Sequence, residues 1–418
     1  MAAASDRVVV VGGGVIGAAC AYYLRQTGRP VTLIERGEFG HGCSHGNCGL
    51  VCPSHVLPAA APGALWATLK TLFKRNSPLA VRWRFDLALW RWFWQFARKC
   101  NRDDMLRAGR AIQALLDSSR SLYDDLLAST LTGVEWAPHG LLFVFRSRRG
   151  MDHYARTDEL LRREFRLETT RYDGAALLDV EPALKPGSAG AWHYPTDGHL
   201  RPDKLMLAWR RTLEAQGVEI RTNQELRDLA VDGRLARRLI TNNGEVAADQ
   251  IVIATGAWTP LLHRLLRQPL AIQPGKGYSL TMPRPANCPK YPMIFEEHRV
   301  AITPLTSAYR IGSTMEFAGY DETLNTDRLR LLRDGAAIYL REPLAEPVLE
   351  AWWGWRPMTP DGLPFIGRLP AFDNVHVAAG HGMLGLSMAP ATGRLMAELV
   401  TGGEPHLDPA PYAVVRRL

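Results

Sequence analysis

The sequence predicts an α/β protein: a doubly wound domain on a mostly parallel sheet, with an α+β region of mixed antiparallel sheet and helices inserted into it. Three observations carry this expectation. A β-branched run, Arg7–Val11, opens the chain and leads into Gly12-Gly13-Gly14-Val15-Ile16-Gly17. Two later apolar runs, Ile251–Ala254 and Val375–Ala379, each end in a small or glycine-rich turn, as buried strands of one sheet do. Between them, from Gln273 to Tyr309, short alternating stretches separated by prolines give the pattern of an antiparallel sheet.

The first element justifies a dinucleotide site. Read as Gly12-x-Gly14-x-x-Gly17, the glycines make a tight turn, let a pyrophosphate approach the backbone, and let helix pack on strand. The next helix is small on its packing side (Ala18, Ala19, Cys20, Ala21) and stops near Gly28. A second strand, Val31–Ile34, delivers Glu35, 21 residues after Gly14. A carboxylate there accepts hydrogen bonds from both hydroxyls of an adenosine ribose and disfavours a 2′-phosphate. Further on, Asp203–Gln216 and Val218–Arg221 read as another helix–strand unit of the same domain.

Composition bounds the rest. The 418 residues are 46% hydrophobic and 22% charged, which is globular and argues against disorder, collagen or a disulfide scaffold. That length exceeds one efficient core, so two interleaved or tandem domains are expected. Six Cys do not read as a disulfide framework, and the first strand begins too early for a signal peptide to precede it. No uninterrupted apolar run reaches the roughly 18–20 residues of a spanning helix, so a cytoplasmic protein, soluble or peripheral on the inner membrane face, is expected. The net charge of +8 is concentrated: residues 64–100 hold eight Lys or Arg against Asp86, with five of the twelve Trp and four of the twelve Phe. Two helices are expected there, Ala64–Arg75 and Leu79–Arg98, separated by Pro78, with Arg91, Gln95 and Arg98 forming a narrow polar stripe on the second. Such a helix either roofs the interior or lies against a membrane or a partner subunit, and the sequence leaves both open.

Six side chains with metal-ligand chemistry fall within 15 residues: His41, Cys43, His45, Cys48, Cys52 and His55. Their spacing matches neither a ferredoxin nor a zinc-knuckle pattern, so no metal is expected and these groups read as neighbours of a cofactor.

The loop Ser44-His45-Gly46-Asn47-Cys48-Gly49 after the ribose acid, and the absence of a second glycine fingerprint, carry a resemblance. The chain resembles the D-amino-acid oxidase superfamily of flavoproteins, which includes glycine oxidase, sarcosine oxidase and D-hydroxyproline dehydrogenase. The match is widest to the bacterial D-amino-acid dehydrogenases. Matching stretches include Ala61-Pro62-Gly63, Ser77–Arg82, Lys276–Leu280, Arg356–Gly362 and Gly380-His381-Gly382-x-x-Gly385. The resemblance implies FAD, held by residues 1–60, 196–262 and 352–418, with 61–195 and 263–351 forming the substrate domain. It places Gly12, Gly14, Val15, Ile16, Gly17, Glu35, Arg36, Ser44, Asn47, Cys48 and Gly49 along the cofactor. Leu226 is expected at the adenine, Thr255 and Gly256 beside the dinucleotide, and Gly382, Met383, Leu384, Gly385 and Leu386 at the flavin. The last cysteine is Cys288, so the cysteinyl–flavin bond of sarcosine oxidase has no nucleophile at its usual place and FAD is expected to be noncovalent.

The block Trp352–Gly362 names the substrate group. Two prolines and an Asp-Gly turn fix Arg356, and a rigid guanidinium grips a carboxylate through two parallel hydrogen bonds. Relatives use an Arg at the matching place for the substrate carboxylate. Tyr278, in the sheet that floors the cavity in the family, is expected to hydrogen-bond the substrate. The implied reaction is oxidative deamination of an amino acid, with a D-amino acid or a D-proline derivative as substrate and a quinone or carrier protein as electron acceptor. Arg310 falls near a Lys that activates oxygen in sarcosine oxidase, and that departure argues against an oxidase. Three alternatives remain: a glycine- or sarcosine-type oxidase, a tRNA-modifying flavoprotein, and one FAD subunit of a heteromeric complex. The apolar helix face argues against a nucleic-acid partner.

Overall fold

In the computed structural model, the residues described are 6–64, 77, 79–82 and 84–418. The expected helix Ala64–Arg75 therefore lies almost wholly outside them.

Val8–Val11 is buried on both faces at the centre of a six-stranded sheet. The order is Phe365–Arg368, Val375–Ala379, Gln250–Ile253, Val8–Val11, Val31–Ile34, Glu219–Arg221, parallel except for Phe365–Arg368 at one edge. Side chains alternate across it. Val8 and Val10 join the core under the helices Val15–Gln26, Pro202–Ala215 and Gly385–Thr401. Val9 and Val11 face a three-stranded antiparallel sheet, Leu226–Asp232, Leu235–Thr241 and Gly244–Ala247, which covers the second face in place of helices. The small residues of the first helix have a packing reason: Gly393 approaches Ala19 so closely that a Cβ at 393 would lie 2.6 Å from the Ala19 carbonyl.

The second sheet has nine strands among the described residues. Glu350–Met358, Gln273–Met282, Tyr309–Phe317, Val300–Thr303 and Met293–Phe295 run antiparallel in that order, as the alternating pattern predicts. The sheet is nevertheless mixed. Met293–Phe295 pairs in parallel with Leu141–Phe145, and Leu79–Val81 pairs in parallel with Tyr309–Phe317. Leu79–Val81 is thus a strand, and the expected helix from Leu79 begins only at Leu87, where Asp86 accepts from the Leu89 N–H as its N-cap. Because Glu350–Met358 pairs with Gln273–Met282, the chain returns to the first sheet only after Met358, not at residue 352. The helix Thr326–Tyr339 packs Leu329, Leu332 and Ala336 onto the back of this sheet, against Tyr278, Leu280 and Met282. No helix among the described residues is long and apolar enough to cross a membrane.

Candidate active site

The first sheet brings backbone to the site. Gly12 sits at φ 111°, and a Cβ there would lie 2.5 Å from the Ala254 carbonyl oxygen. A Cβ at Gly17 would collide with the Gly12 carbonyl, so the turn closes only with glycine at both positions. Gly14 is the N-cap of the first helix and contributes no side chain, while the Ser44 hydroxyl accepts from the Val15 N–H at 2.9 Å. The remaining first-turn N–H groups are free donors with positive potential, the usual seat of a phosphate. Glu35 ends the second strand; its Oε2 accepts from Gly13 N at 2.7 Å and Oε1 from Gly37 N at 2.9 Å, which fixes the carboxylate at the mouth of the turn.

The loop 43–49 runs from there toward the second sheet. Asn47 shapes it, accepting from Gly49 N and donating to the Cys43 carbonyl. Arg310 clamps it from behind. Its fully buried guanidinium donates to the Asn47 carbonyl at 2.8 Å and to Thr281 Oγ1 at 2.9 Å, so it is a structural anchor of this loop. Gln224 N donates to the Glu35 carbonyl and draws the start of the strand Leu226–Asp232 to the same mouth. Arg36 lies over the Trp258 ring at 4.2 Å. On the far side Gly382, at φ 54°, leads to the helix Gly385–Thr401, whose N-cap Leu384 offers no side-chain acceptor.

These segments enclose one cavity of about 1490 Å3. Every residue expected at the cofactor lines it except Gly17, which packs helix on strand. Arg356 lines it too. Its Nη1 donates to the Thr314 carbonyl at 2.6 Å, and among the described residues no carboxylate lies within 4 Å of the guanidinium. A half-buried cation facing a cavity without a counter-charge is a waiting anion site.

Tyr278 departs from expectation. Although it borders the cavity, its ring packs in the core on the back of the sheet and its hydroxyl donates to Glu316 Oε2 at 2.5 Å. The reason is strand alternation. Gly277 faces Arg356, so its neighbour Tyr278 must point the other way. The Tyr278 hydroxyl is thus engaged by Glu316 on that side.

The Trp-rich helix Leu87–Lys99 has two faces. Leu89 and Trp92 turn inward; Trp92 stacks on Phe96, donates its indole N–H to the Met358 carbonyl at 3.0 Å and roofs the cavity. Gln95, expected on the polar stripe, is buried beside them. Outward stand Phe85, Leu87 and Trp94 with Arg91 and Arg98, the last over the Trp94 ring.

Of the six candidate metal ligands, Cys52 and His55 converge with Asp197, all within 4.8 Å of one another. The Asp197 carboxylate is engaged by Ser54 N at 3.0 Å and Ser54 Oγ at 2.5 Å, and burial raises its pKa to about 7. His41 and His45 instead stack, and His45 pairs with Glu350 at 2.7 Å. His381 is buried against Thr392 with its pKa lowered to about 3, and so stays neutral. Several cavity residues were invisible in the sequence. Phe143, Tyr154 and Ile294 line its far end, and Trp258 and Trp355 meet edge-to-face at its side. Tertiary packing of strands and helices assembles them, and outside the 352–362 block no local motif marks them.

A family model described as FAD dependent oxidoreductase matches residues 7–399. The chain belongs to this family. It is 34% identical over 403 residues to a D-amino acid dehydrogenase of Paramagnetospirillum magneticum, covering 95% of each chain. To another of Granulibacter bethesdensis it is 31% identical over 420 residues, covering 98% of this chain and 99% of the other. The crystal structure of glycine oxidase from Geobacillus kaustophilus superposes with a TM-score of 0.80 at 24% identity, over 99% of this chain and 100% of that one, a likeness of fold. The cofactor is FAD, and the residues present fit it. The glycine turn leaves backbone bare as a pyrophosphate would require, Glu35 offers a fixed carboxylate that could accept from ribose hydroxyls, and an uncapped helix N-terminus also borders the cavity.

Proposed function

We propose that the protein oxidatively deaminates D-amino acids, D-proline-type substrates included, in a cavity with a backbone-lined cofactor end and a side-chain-lined substrate end. Gly12, Gly14, Val15, Ile16, Glu35 and Arg36 hold the ADP half of FAD, with Leu226, Thr255 and Gly256 beside it. Ser44, Asn47, Cys48 and Gly49 line the middle, and Gly382 to Leu386 face the flavin, while Gly17 acts by closing the turn. FAD, bound without a covalent link, supplies the two-electron oxidant for the substrate's carbon–nitrogen bond. Arg356 grips the carboxylate and so fixes the orientation of the Cα–H bond. The free N–H groups at residues 385–387 donate to negative charge on the bound group. Trp92 and Phe96 exclude water over the cavity. No side-chain base is required when the amine binds unprotonated; the imine product is hydrolysed by water to a 2-oxo acid. The Arg356 guanidinium, without a carboxylate partner among the described residues and opening into the cofactor cavity, carries this reading.

The electrons pass to a quinone or a carrier protein. The outward Phe85, Leu87 and Trp94, flanked by Arg91 and Arg98, suit the interface of an anionic bilayer on the cytoplasmic side, where a quinone is accessible. Co-sedimentation with anionic but not neutral vesicles is expected, and equal indifference to both rejects the membrane contact. The activity itself is tested by anaerobic addition of a panel of D- and L-amino acids. Bleaching of the flavin band by at least one D-amino acid is expected, and turnover with a dye acceptor should exceed peroxide formation in air. No bleaching by any D-amino acid, proline derivatives included, overturns the proposal.

A further inference from the structure

We propose that Gly277 and the Ser313–Thr314 bulge are positioning elements that seat the Arg356 guanidinium for carboxylate recognition. The inference rests on the reading of Arg356 above and names residues that reading does not use.

The central strand Gln273–Met282 pairs regularly with Glu350–Met358, setting Gly275 opposite Arg356 and Gly277 opposite Gly354. Its other partner is irregular. Tyr278 faces Ser313 and Lys276 faces Glu316, so one residue, Gly277, opposes two, Thr314 and Met315. The extra residue makes a β-bulge, with Ser313 at φ 120° and Thr314 at φ 54°. A β-branched residue in the left-handed region is a genuine outlier, and such strain persists only where the surroundings impose it. The bulge takes the Thr314 carbonyl out of the regular ladder and aims it at Arg356 Nη1, 2.6 Å away; Met315 Sδ lies 3.7 Å from the same nitrogen.

Gly277 makes the room. A Cβ there would collide with Arg356 Cζ and Nη2 and lie 2.7 Å from Nη1. Gly277 is not among the glycines with positive φ, so space, not backbone conformation, demands it. Gly275 gives similar clearance on the same face of the strand, where a Cβ would lie 2.5 Å from Met315 Sδ. The guanidinium thus lies flat on bare backbone with Nη1 pinned by one carbonyl. Its remaining edge has no carboxylate partner among the described residues. A planar fork fixed in this way binds a carboxylate in one orientation, which a mobile cation does not. Position 277 therefore governs how the enzyme presents Arg356 to a carboxylate, although Gly277 is not among the residues lining the cavity.

The test is a double-variant cycle on the FAD-loaded enzyme, reading KM for the D-amino acid that bleaches the flavin and Kd for propionate from the flavin difference spectrum. Gly277→Ala is expected to raise both at least tenfold with FAD content unchanged. In an Arg356→Ala background the same change should cost less than twofold, because the collision has gone. An equal cost in both backgrounds, or none in either, overturns the proposal. Should Gly277→Ala fail to fold, recovery of folding in the double variant supports the collision, and failure of both variants overturns it. If Arg356→Ala binds propionate like the wild type, or the wild type shows no perturbation, the carboxylate reading itself fails, whatever Gly277 does.

Discussion

At the six-stranded sheet the groups that face the cavity are mostly backbone: the turn after Val8–Val11, the uncapped helix starts, and a carboxylate held by two N–H groups. At the nine-stranded sheet they are side chains, Arg356 foremost, each aimed by pairing between strands distant in sequence. Backbone recognition depends on the absence of side chains and fails when one is added. Side-chain recognition depends on a few polar atoms and fails when one is removed, while the cofactor end stays intact. The two regions should therefore come apart under mutation.

The largest effect is expected at the cofactor end. Gly17→Val places atoms into the Gly12 carbonyl, so the purified protein should lack the flavin absorption band or be insoluble; a yellow, folded variant would break the comparison. Acid should act next, and on both regions. Burial lowers the pKa of His55, His199 and His376 to about 4 and of His381 to about 3, below the ordinary 6.5. A folded pKa lowered in this way gives stability that is full above pH 6.5 and lost as pH falls toward 3–4. Asp197 works in the opposite sense. Raised from 3.8 to about 7, it contributes stability below pH 3.8 that is lost as pH rises through about 7. The melting temperature should therefore fall between pH 7 and pH 4, and more steeply in Asp197→Asn, which lacks the opposing group. A flat profile in both proteins contradicts these burials. The smallest effect is expected for Tyr278→Phe, which removes one hydrogen bond to Glu316 on the back of the sheet. A loss of about 1–3 kcal/mol in chemical denaturation, with KM unchanged, follows from that position. A KM raised tenfold would return Tyr278 to the substrate.

The same contrast explains what was legible in the sequence. Gly12, Gly14, Gly17 and Glu35 act within one strand–turn–helix–strand unit, so their spacing carries the geometry and the cofactor end could be read directly. That Arg356 stands on a fixed backbone at the cavity was legible for a related reason, since prolines and an Asp-Gly turn lie beside it. The side of the sheet that Tyr278 faces was not, because alternation tells only that neighbours oppose each other, and the face is set by pairing with strands 350–358 and 309–317. Leu79–Val81 misled for a similar reason. An apolar run beside a helix reads as its continuation, yet here it pairs with residues 315–317. Gln95 lies inward because Trp92 and Phe96 turn that face of the helix toward the cavity, a tertiary choice that helical periodicity does not determine.

The division of labour between the two sheets is tested most directly by Arg356→Ala, purified and titrated anaerobically with the D-amino acid that bleaches the wild type. Full FAD content with a fall of at least about a thousandfold in kcat/KM, equivalent to roughly 4 kcal/mol of lost interaction, is the expected result. Loss of the flavin on purification, or bleaching at the wild-type substrate concentration, would contradict a side-chain substrate end built separately from a backbone cofactor end.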